Sequence, residues 1–156
     1  MSVLIEEMKG PLAIKQAAEE VLRDLPEWFG IEEALQAYVQ RSAELKSLRA
    51  VRGSETLGFI SIESHNPQSA EIYVMGVKKS SHRLGIGRKL LETVETKLTK
   101  EGYRMLLVKT LSAAHPDPGY KQSRAFYTAN GFIALHEFPE LWGKENPCLL
   151  MGKPLS

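Results

Sequence analysis

The sequence has a single cysteine, Cys148, so it cannot form an intrachain disulfide. A chain without disulfides fits a reducing compartment best. The first residues, MSVLIEEMK, place two glutamates where a secretory signal needs an apolar run. No apolar stretch approaches the roughly 20 residues that a membrane span requires. We therefore expect a cytoplasmic protein with no membrane partner.

An excess of one charge is also missing. The sequence has 20 Lys and Arg residues against 19 Asp and Glu residues, a formal net charge of +1. Dedicated nucleic-acid-binding domains are usually strongly basic, so we expect no nucleic-acid partner. The four histidines show no metal-ligand spacing, and Cys148 has no second cysteine beside it, so we expect no metal site. The length of 156 residues, with 43% hydrophobic residues, predicts one domain over residues 1–156.

Hydrophobic periodicity predicts an α+β fold on one central sheet. Helical spacing occurs in four places: after Pro11, near Ile31, from Gly85 and over 120–130. Strand patterns occur in seven segments: 2–8, 48–52, 57–63, 71–77, 104–110, 132–138 and 148–153. The order is β-α-α-β-β-β-α-β-α-β-β. The three middle strands predict an antiparallel meander, and the strand, helix and strand that follow predict a parallel pair. Gly76, inside a strand pattern, indicates a bulge or the close approach of a ligand.

The most informative stretch is Val77–Leu91 (VKKSSHRLGIGRKLL), which reads as a strand end, a basic turn and a helix that begins at two glycines. Glycine lets the backbone approach a ligand closely, and the first amides of a helix lack internal partners and carry the positive end of its dipole. Together these features predict a diphosphate site. The basic residues around it are Lys78, Lys79, His82, Arg83, Arg88 and Lys89.

Two phosphate-binding motifs do not fit this stretch. A dinucleotide fingerprint requires GxGxxG, but Leu90 stands where the third glycine belongs after Gly85 and Gly87. A P-loop requires GxxxxGK followed by Ser or Thr, and that spacing does not occur here. Both motifs are therefore excluded.

The segment HRLGIG resembles the [Q/R]-x-x-G-x-[G/A] turn of the GCN5-related N-acetyltransferase (GNAT) family. A second segment, 123–132 (SRAFYTANGF), is similar to the family helix that carries A-x-x-F-Y and ends in G-F. The two segments occur in the family order, and the early helices and the meander resemble the family layout, so the resemblance covers most of the chain. His82 replaces the usual Gln or Arg, Ser123 replaces the usual Ala, and Tyr120 stands where Asn is frequent.

The resemblance implies a mixed, mostly antiparallel sheet with helices on both faces and acetyl-CoA as the co-substrate. In the family, backbone amides of the glycine turn bind the pyrophosphate, and strand residues before the turn offer backbone groups to the pantetheine amides. The candidate cofactor-binding residues are Met75, Gly76, Val77, His82, Arg83, Leu84, Gly85, Ile86, Gly87, Arg88, Ser123 and Phe126.

Acetyl transfer to an amine requires a base for the amine, a polarised thioester carbonyl and a proton donor for the leaving thiolate. The resemblance implies that Tyr127 is the donor near the coenzyme sulfur; the alternative is a core aromatic residue. The segment EIYVMGV is similar to the strand of histone-type members that carries the base, so Glu71 is the candidate base, directly or through water. The alternative for Glu71 is a carboxylate that faces solvent or pairs with a lysine. Glu63 is the second candidate base.

Trp28, Phe29 and His115 are the candidate acceptor-binding residues. Trp28 and Phe29 lie with several carboxylates between the first two helices, where the family forms a wall of the acceptor site. Aromatic faces beside carboxylates suit a cationic amine, although a capped helix start is an alternative interpretation. His115 lies on the loop before the tyrosine helix.

The resemblance implies an N-acetyltransferase that works by direct transfer in a ternary complex. Cys148 is far in sequence from both motifs, which argues against an acetyl-cysteine intermediate. The near-neutral charge and the compact length favour a small-molecule amine as the acceptor. A protein or peptide N-acetyltransferase and a non-catalytic CoA-binding regulatory module remain alternatives. Folds of this kind also allow a homodimer through the C-terminal strands.

Overall fold

A computed structural model describes residues 2–115 and 118–156. Its strands are β1 Leu4–Glu7, β2 Lys46–Arg52, β3 Glu55–Asn66, β4 Ser69–Val77, β5 Met105–Leu111, β6 Ile133–Phe138 and β7 Cys148–Pro154. Its helices are α1 Pro11–Arg23, α2 Pro26–Phe29, α3 Glu32–Ser42, α4 Ile86–Lys100 and α5 Pro118–Ala129. The predicted order is confirmed, with α2 as one added helical turn. Pro116 and Asp117, within the predicted loop at 111–119, lie outside the described residues.

The seven strands form one sheet in the order β1-β2-β3-β4-β5-β7-β6. Every pair of neighbours is antiparallel except β4 and β5, which are parallel. The β2–β4 meander and the parallel pair around α4 are therefore confirmed. The central sheet is mixed and mostly antiparallel, as the resemblance implied.

The β4 and β5 strands separate partway along their length. Ser69–Ile72 pairs with Met105–Val108, but β4 continues to Val77 and β5 to Leu111. The other edge of β5 stays paired with β7 along its whole length. The last five residues of β4, 73–77, therefore leave an edge of β4 that is open towards β5, which we call the open edge.

A β-bulge lies where the open edge begins. Ser61 of β3 pairs with Val74, whereas Ile62 pairs with Ile72, so Tyr73 is the extra residue on β4. Gly76 is not the bulged residue. A Cβ at Gly76 would lie 3.0 Å from Leu25 Cδ1 and 3.1 Å from Val21 Cγ1. Glycine at this position therefore lets α1 pack closely against β4.

Helices cover both faces of the sheet because each has one apolar stripe. On one face, α4 buries Ile86, Leu90, Leu91, Val94 and Leu98, and Tyr127 of α5 belongs to the same core cluster. On the other face, α1 buries Ile14, Ala17, Ala18, Val21 and Leu22, and α3 adds Leu35 and Val39. Burial of one such leucine or isoleucine contributes about 1.5–3 kcal/mol. Among the described residues, no helix has the length and apolar character needed to cross a membrane.

Candidate active site

The glycine turn connects the open edge to α4. A short 3-10 helix, Lys79–Ser81, follows β4, and α4 begins at Ile86. Gly85 is the N-cap residue with φ of 76°, in the left-handed region that favours glycine. An added Cβ at Gly85 would meet nothing within 4 Å, so the turn requires glycine here for its backbone conformation. The first amides of α4 thus lie at the end of an exposed turn that follows the open edge.

The start of α5 lies beside this turn. A Cβ at Gly87 would lie 3.1 Å from Phe126 Cζ, so the first turn of α4 packs closely against α5. The Ser123 hydroxyl donates a hydrogen bond to the Gly119 carbonyl at 3.3 Å. A cavity of about 330 Å³ opens between α2, the turn and the start of α5. Its lining includes Trp28 and His82. The structure therefore brings both sequence motifs to one end of the sheet.

The turn lysines are held by carboxylates of the first helices. Lys78 pairs with Glu20 of α1, and Lys79 pairs with Glu27 of α2. The Lys79 amide also donates a hydrogen bond to Asp24 at 2.8 Å. The ammonium of Lys79 lowers the pKa of the Glu27 carboxyl. Asp24 and Glu27, two of the carboxylates between the first two long helices, thus bind the glycine turn.

The three candidate acceptor residues lie in different places. The Trp28 ring contacts the His82 ring edge-on, with centroids 6.3 Å apart. Phe29 packs on Tyr38 of α3 at 5.4 Å, on the α1 side of the sheet. His115 packs near Tyr120 of α5 at 6.4 Å. Their acceptor role stays a prediction.

Tyr127 lies within the core on the α4 side of the sheet. Its ring packs edge-on against Phe126 at 5.3 Å and Phe132 at 5.4 Å. It shares a core cluster with Ile72 and Val108, the last parallel pair before the strands separate. Burial raises the pKa of Tyr127 above its usual value, so its phenol keeps its proton at neutral pH.

Glu71 lies on the opposite face of the sheet, next to Ile72 at the end of the open edge where β4 and β5 are still paired, which we call the closed end. Ala70 and Ile72 belong to the α4-side core, so the alternating Glu71 side chain points to the other face. The Lys109 ammonium donates to both Glu71 oxygens, at 3.1 and 3.0 Å, and His65 Nε2 lies 2.7 Å from Oε1. Only 10% of the Glu71 side chain is exposed. The alternative interpretation, in which Glu71 forms an ion pair with a lysine, is therefore what the structure shows. The Glu71 carboxylate of this pair is nevertheless buried, at the end of the open edge.

Lys109 and His65 were not among the residues predicted from the sequence. A lysine inside the apolar segment RMLLVKT was the available signal for Lys109, because buried charges are usually paired. Glu63 is engaged elsewhere, since Arg41 donates to it at 2.7 Å. Cys148 lies close enough to Glu71 and Lys109 to interact with their charges, although it is far from both sequence motifs along the chain. Burial raises the pKa of its thiol, while Lys109 lowers that pKa and Glu71 raises it further.

The comparisons with known proteins agree with this geometry. A family model described as an acetyltransferase (GNAT) domain matches residues 44–134, which include the glycine turn and Tyr127. The chain belongs to the GNAT family. The two motifs therefore identified the family correctly, and the family is one of acetyltransferases. No curated protein matches the sequence at a significant level. In the described residues, no group of three or more His, Cys, Asp or Glu side chains could hold a metal ion.

Solved structures show the same fold across nearly the whole chain. A GNAT-family protein from Desulfovibrio desulfuricans has a TM-score of 0.84 at 18% identity, covering 99% of this chain and 100% of its own. The PaiA N-acetyltransferase of Thermoplasma acidophilum, solved with coenzyme A, has a TM-score of 0.76 at 20% identity, covering 99% of each chain. The aminoglycoside 6'-N-acetyltransferase of Enterococcus faecium has a TM-score of 0.73 at 21% identity, covering 97% of this chain and 96% of its own. At these identities, the likeness shows the fold.

Proposed function

We propose that this GNAT protein is an acetyl-CoA-dependent N-acetyltransferase that moves the acetyl group directly to a primary amine in a ternary complex. The observation that carries the proposal is the open edge of β4. It connects the exposed start of α4 to the buried Glu71 carboxylate. Beyond Ile72 this edge of β4 is not paired with β5.

The open edge suits an extended molecule with amides. Unpaired strand groups bind such chains by the hydrogen bonds that a neighbouring strand would make. Its five residues, 73–77, span about 16 Å at roughly 3.3 Å per residue. A diphosphate bound by the amides of Ile86, Gly87 and Arg88 places the pantetheine arm along this edge. The thioester then lies towards the closed end, near Ile72.

The two candidate proton-transfer groups lie on opposite faces of the sheet. The Tyr127 phenol is on the α4 side, and the Glu71 carboxylate is on the other side. An amine that approaches from the Glu71 side attacks the carbonyl while the sulfur departs towards Tyr127. A backbone amide of the open edge polarises the carbonyl as it becomes tetrahedral. This separation keeps the proton donor for sulfur apart from the group that takes the amine proton.

We favour a small-molecule amine as the acceptor, as the near-neutral charge of +1 suggests. The acceptor enters from the side of the sheet that carries Glu71.

The test is a thiol-release assay with acetyl-CoA and a panel of polyamines, aminoglycosides, amino acids and peptides. We expect release of CoA with at least one small amine, and a product that gains one acetyl group by mass spectrometry. Clear CoA binding with no release on any amine would instead indicate a regulatory module. Release only with peptides would assign a protein acceptor.

A further inference from the structure

Three ionisable side chains from three strands meet at the closed end of the open edge. They are His65 at the end of β3, Glu71 of β4 and Lys109 of β5. The Glu71 side chain is 10% exposed, whereas that of His65 is 37% exposed. The carboxylate is therefore enclosed, and the imidazole bonded to it is accessible from outside.

The contacts determine which ring nitrogen of His65 is basic. An ionised carboxylate only accepts hydrogen bonds, and the Lys109 ammonium bonded to both Glu71 oxygens balances its charge. His65 Nε2, at 2.7 Å from Oε1, must then carry the hydrogen. The lone pair of the neutral imidazole is consequently on Nδ1. A carboxylate that orients a histidine in this way is a recurrent arrangement for general bases.

We propose that His65 is the general base of the acetyl transfer and that Glu71 is a positioning residue that holds its tautomer. The inference rests on the proposed function and revises the role of Glu71 within it. An amine needs a base that it can reach, and both Glu71 oxygens already accept hydrogen bonds from Lys109.

The proton balance of the step is complete. The acceptor ammonium loses one proton to His65 Nδ1, and the neutral nitrogen forms its bond to the thioester carbon. The C–S bond breaks with its electron pair on sulfur, which takes a proton from Tyr127. The nitrogen still carries two protons after it attacks; one leaves through water and restores Tyr127, and the other remains as the amide N–H. His65 passes its own proton to solvent, so the net products are the amide, the free thiol and one proton.

Glu71 is the charged group in contact with His65, and Glu71 in turn contacts Lys109 of β5 and interacts with the buried Cys148 thiol of β7. Glu63, on the same strand as His65, is paired with Arg41 of α3. A His65 variant removes the imidazole and leaves the Lys109 ammonium bonded to the Glu71 carboxylate.

The test compares His65→Gln with His136→Gln, the same substitution on β6, where the His136 ring packs 4.5 Å from Phe138. Loss of a general base typically lowers the rate by about 10²–10⁴-fold. We expect a fall in kcat of at least 100-fold in His65→Gln, an unchanged Kd for CoA and loss of the acidic limb of the pH–kcat profile. Added imidazole should restore part of the activity of His65→Ala. The His136→Gln variant should match the wild type.

A nitrogen NMR spectrum of the histidine side chains tests the inference without an acceptor. We expect the Nε2–H tautomer of neutral His65 in the wild type and a mixture of tautomers in Glu71→Gln, whose amide both donates and accepts. An Nδ1–H tautomer in the wild type would overturn the inference, as would a His65→Gln enzyme with an unchanged pH–kcat profile. If the wild type binds CoA but acetylates nothing, the proposed function fails and the base role fails with it. If the wild type acetylates and only the His65 results disagree, the proposed function stands.

Discussion

The sharpest prediction concerns two glycines at the two ends of α4. Gly85 and Gly102 both have left-handed backbone angles, with φ of 76° and 94°. An added Cβ would meet nothing within 4 Å at either position. The substitutions Gly85→Ala and Gly102→Ala therefore impose the same kind of backbone cost without a packing clash. Only Gly85 belongs to the proposed diphosphate site.

The stability effect of the two substitutions should be similar. A left-handed conformation costs a residue with a Cβ about 1–2 kcal/mol. For a chain of this size, each kcal/mol lowers Tm by roughly 2–4 °C. We therefore expect both variants to melt about 2–8 °C below the wild type, as measured by calorimetry. Gly102→Ala is the matched control for the strain.

The affinity for CoA should separate the variants. A hydrogen bond to a charged group is worth about 1.5–3 kcal/mol, and each 1.4 kcal/mol is a factor of ten in Kd. Displacing one α4 amide from the diphosphate should raise the Kd of Gly85→Ala by roughly 10- to 100-fold. Gly102→Ala should bind CoA as the wild type does. Equal affinities for the two variants in isothermal titration calorimetry would refute the placement of the diphosphate at this turn.

Three further predictions follow from the core. Tyr127→Phe should keep the fold and lower kcat by roughly 100-fold or more if its hydroxyl protonates the thiolate; unchanged thiol release would remove that role. Because burial raises the pKa of Tyr127, the unfolded chain ionises first, so stability should fall as pH rises above about 10. This loss of stability at alkaline pH should be smaller in Tyr127→Phe. If urea unfolding shows the same loss between neutral and alkaline pH in both proteins, the reasoning is contradicted. Gly76→Ala should lower the free energy of unfolding in urea by about 1–3 kcal/mol, because its Cβ would crowd Leu25 and Val21. An unchanged free energy of unfolding would mean that α1 moves away from β4 at no cost.

Local patterns in the sequence predicted most of the fold. The apolar stripe of α4 and the three strands of the meander are each encoded within one short segment, so periodicity was enough to find them. The short helix α2 is not among the four helices that the sequence predicts, because a proline such as Pro26 cannot continue the preceding helix. The same proline fits the first position of a new helix turn.

The site was only partly predictable. The glycine turn and Tyr127 were found because each lies in one contiguous motif. The contact between Glu71 and Lys109 was not found, since the two residues are 38 positions apart and meet only through the parallel pairing of β4 and β5. The pairing of Lys78 with Glu20 was also missed, because these two residues are 58 positions apart. The cytoplasmic location, the single domain and the homodimer stay predictions.

The most direct test of direct transfer is to mix the protein with acetyl-CoA in the absence and presence of an accepted amine. Free thiol and the mass of the intact protein are then measured over time. We predict no thiol release and no gain in protein mass until the amine is added, followed by release in step with acetylated amine. Stoichiometric thiol release without an amine, with the acetyl group on Cys148 or another side chain, would contradict direct transfer.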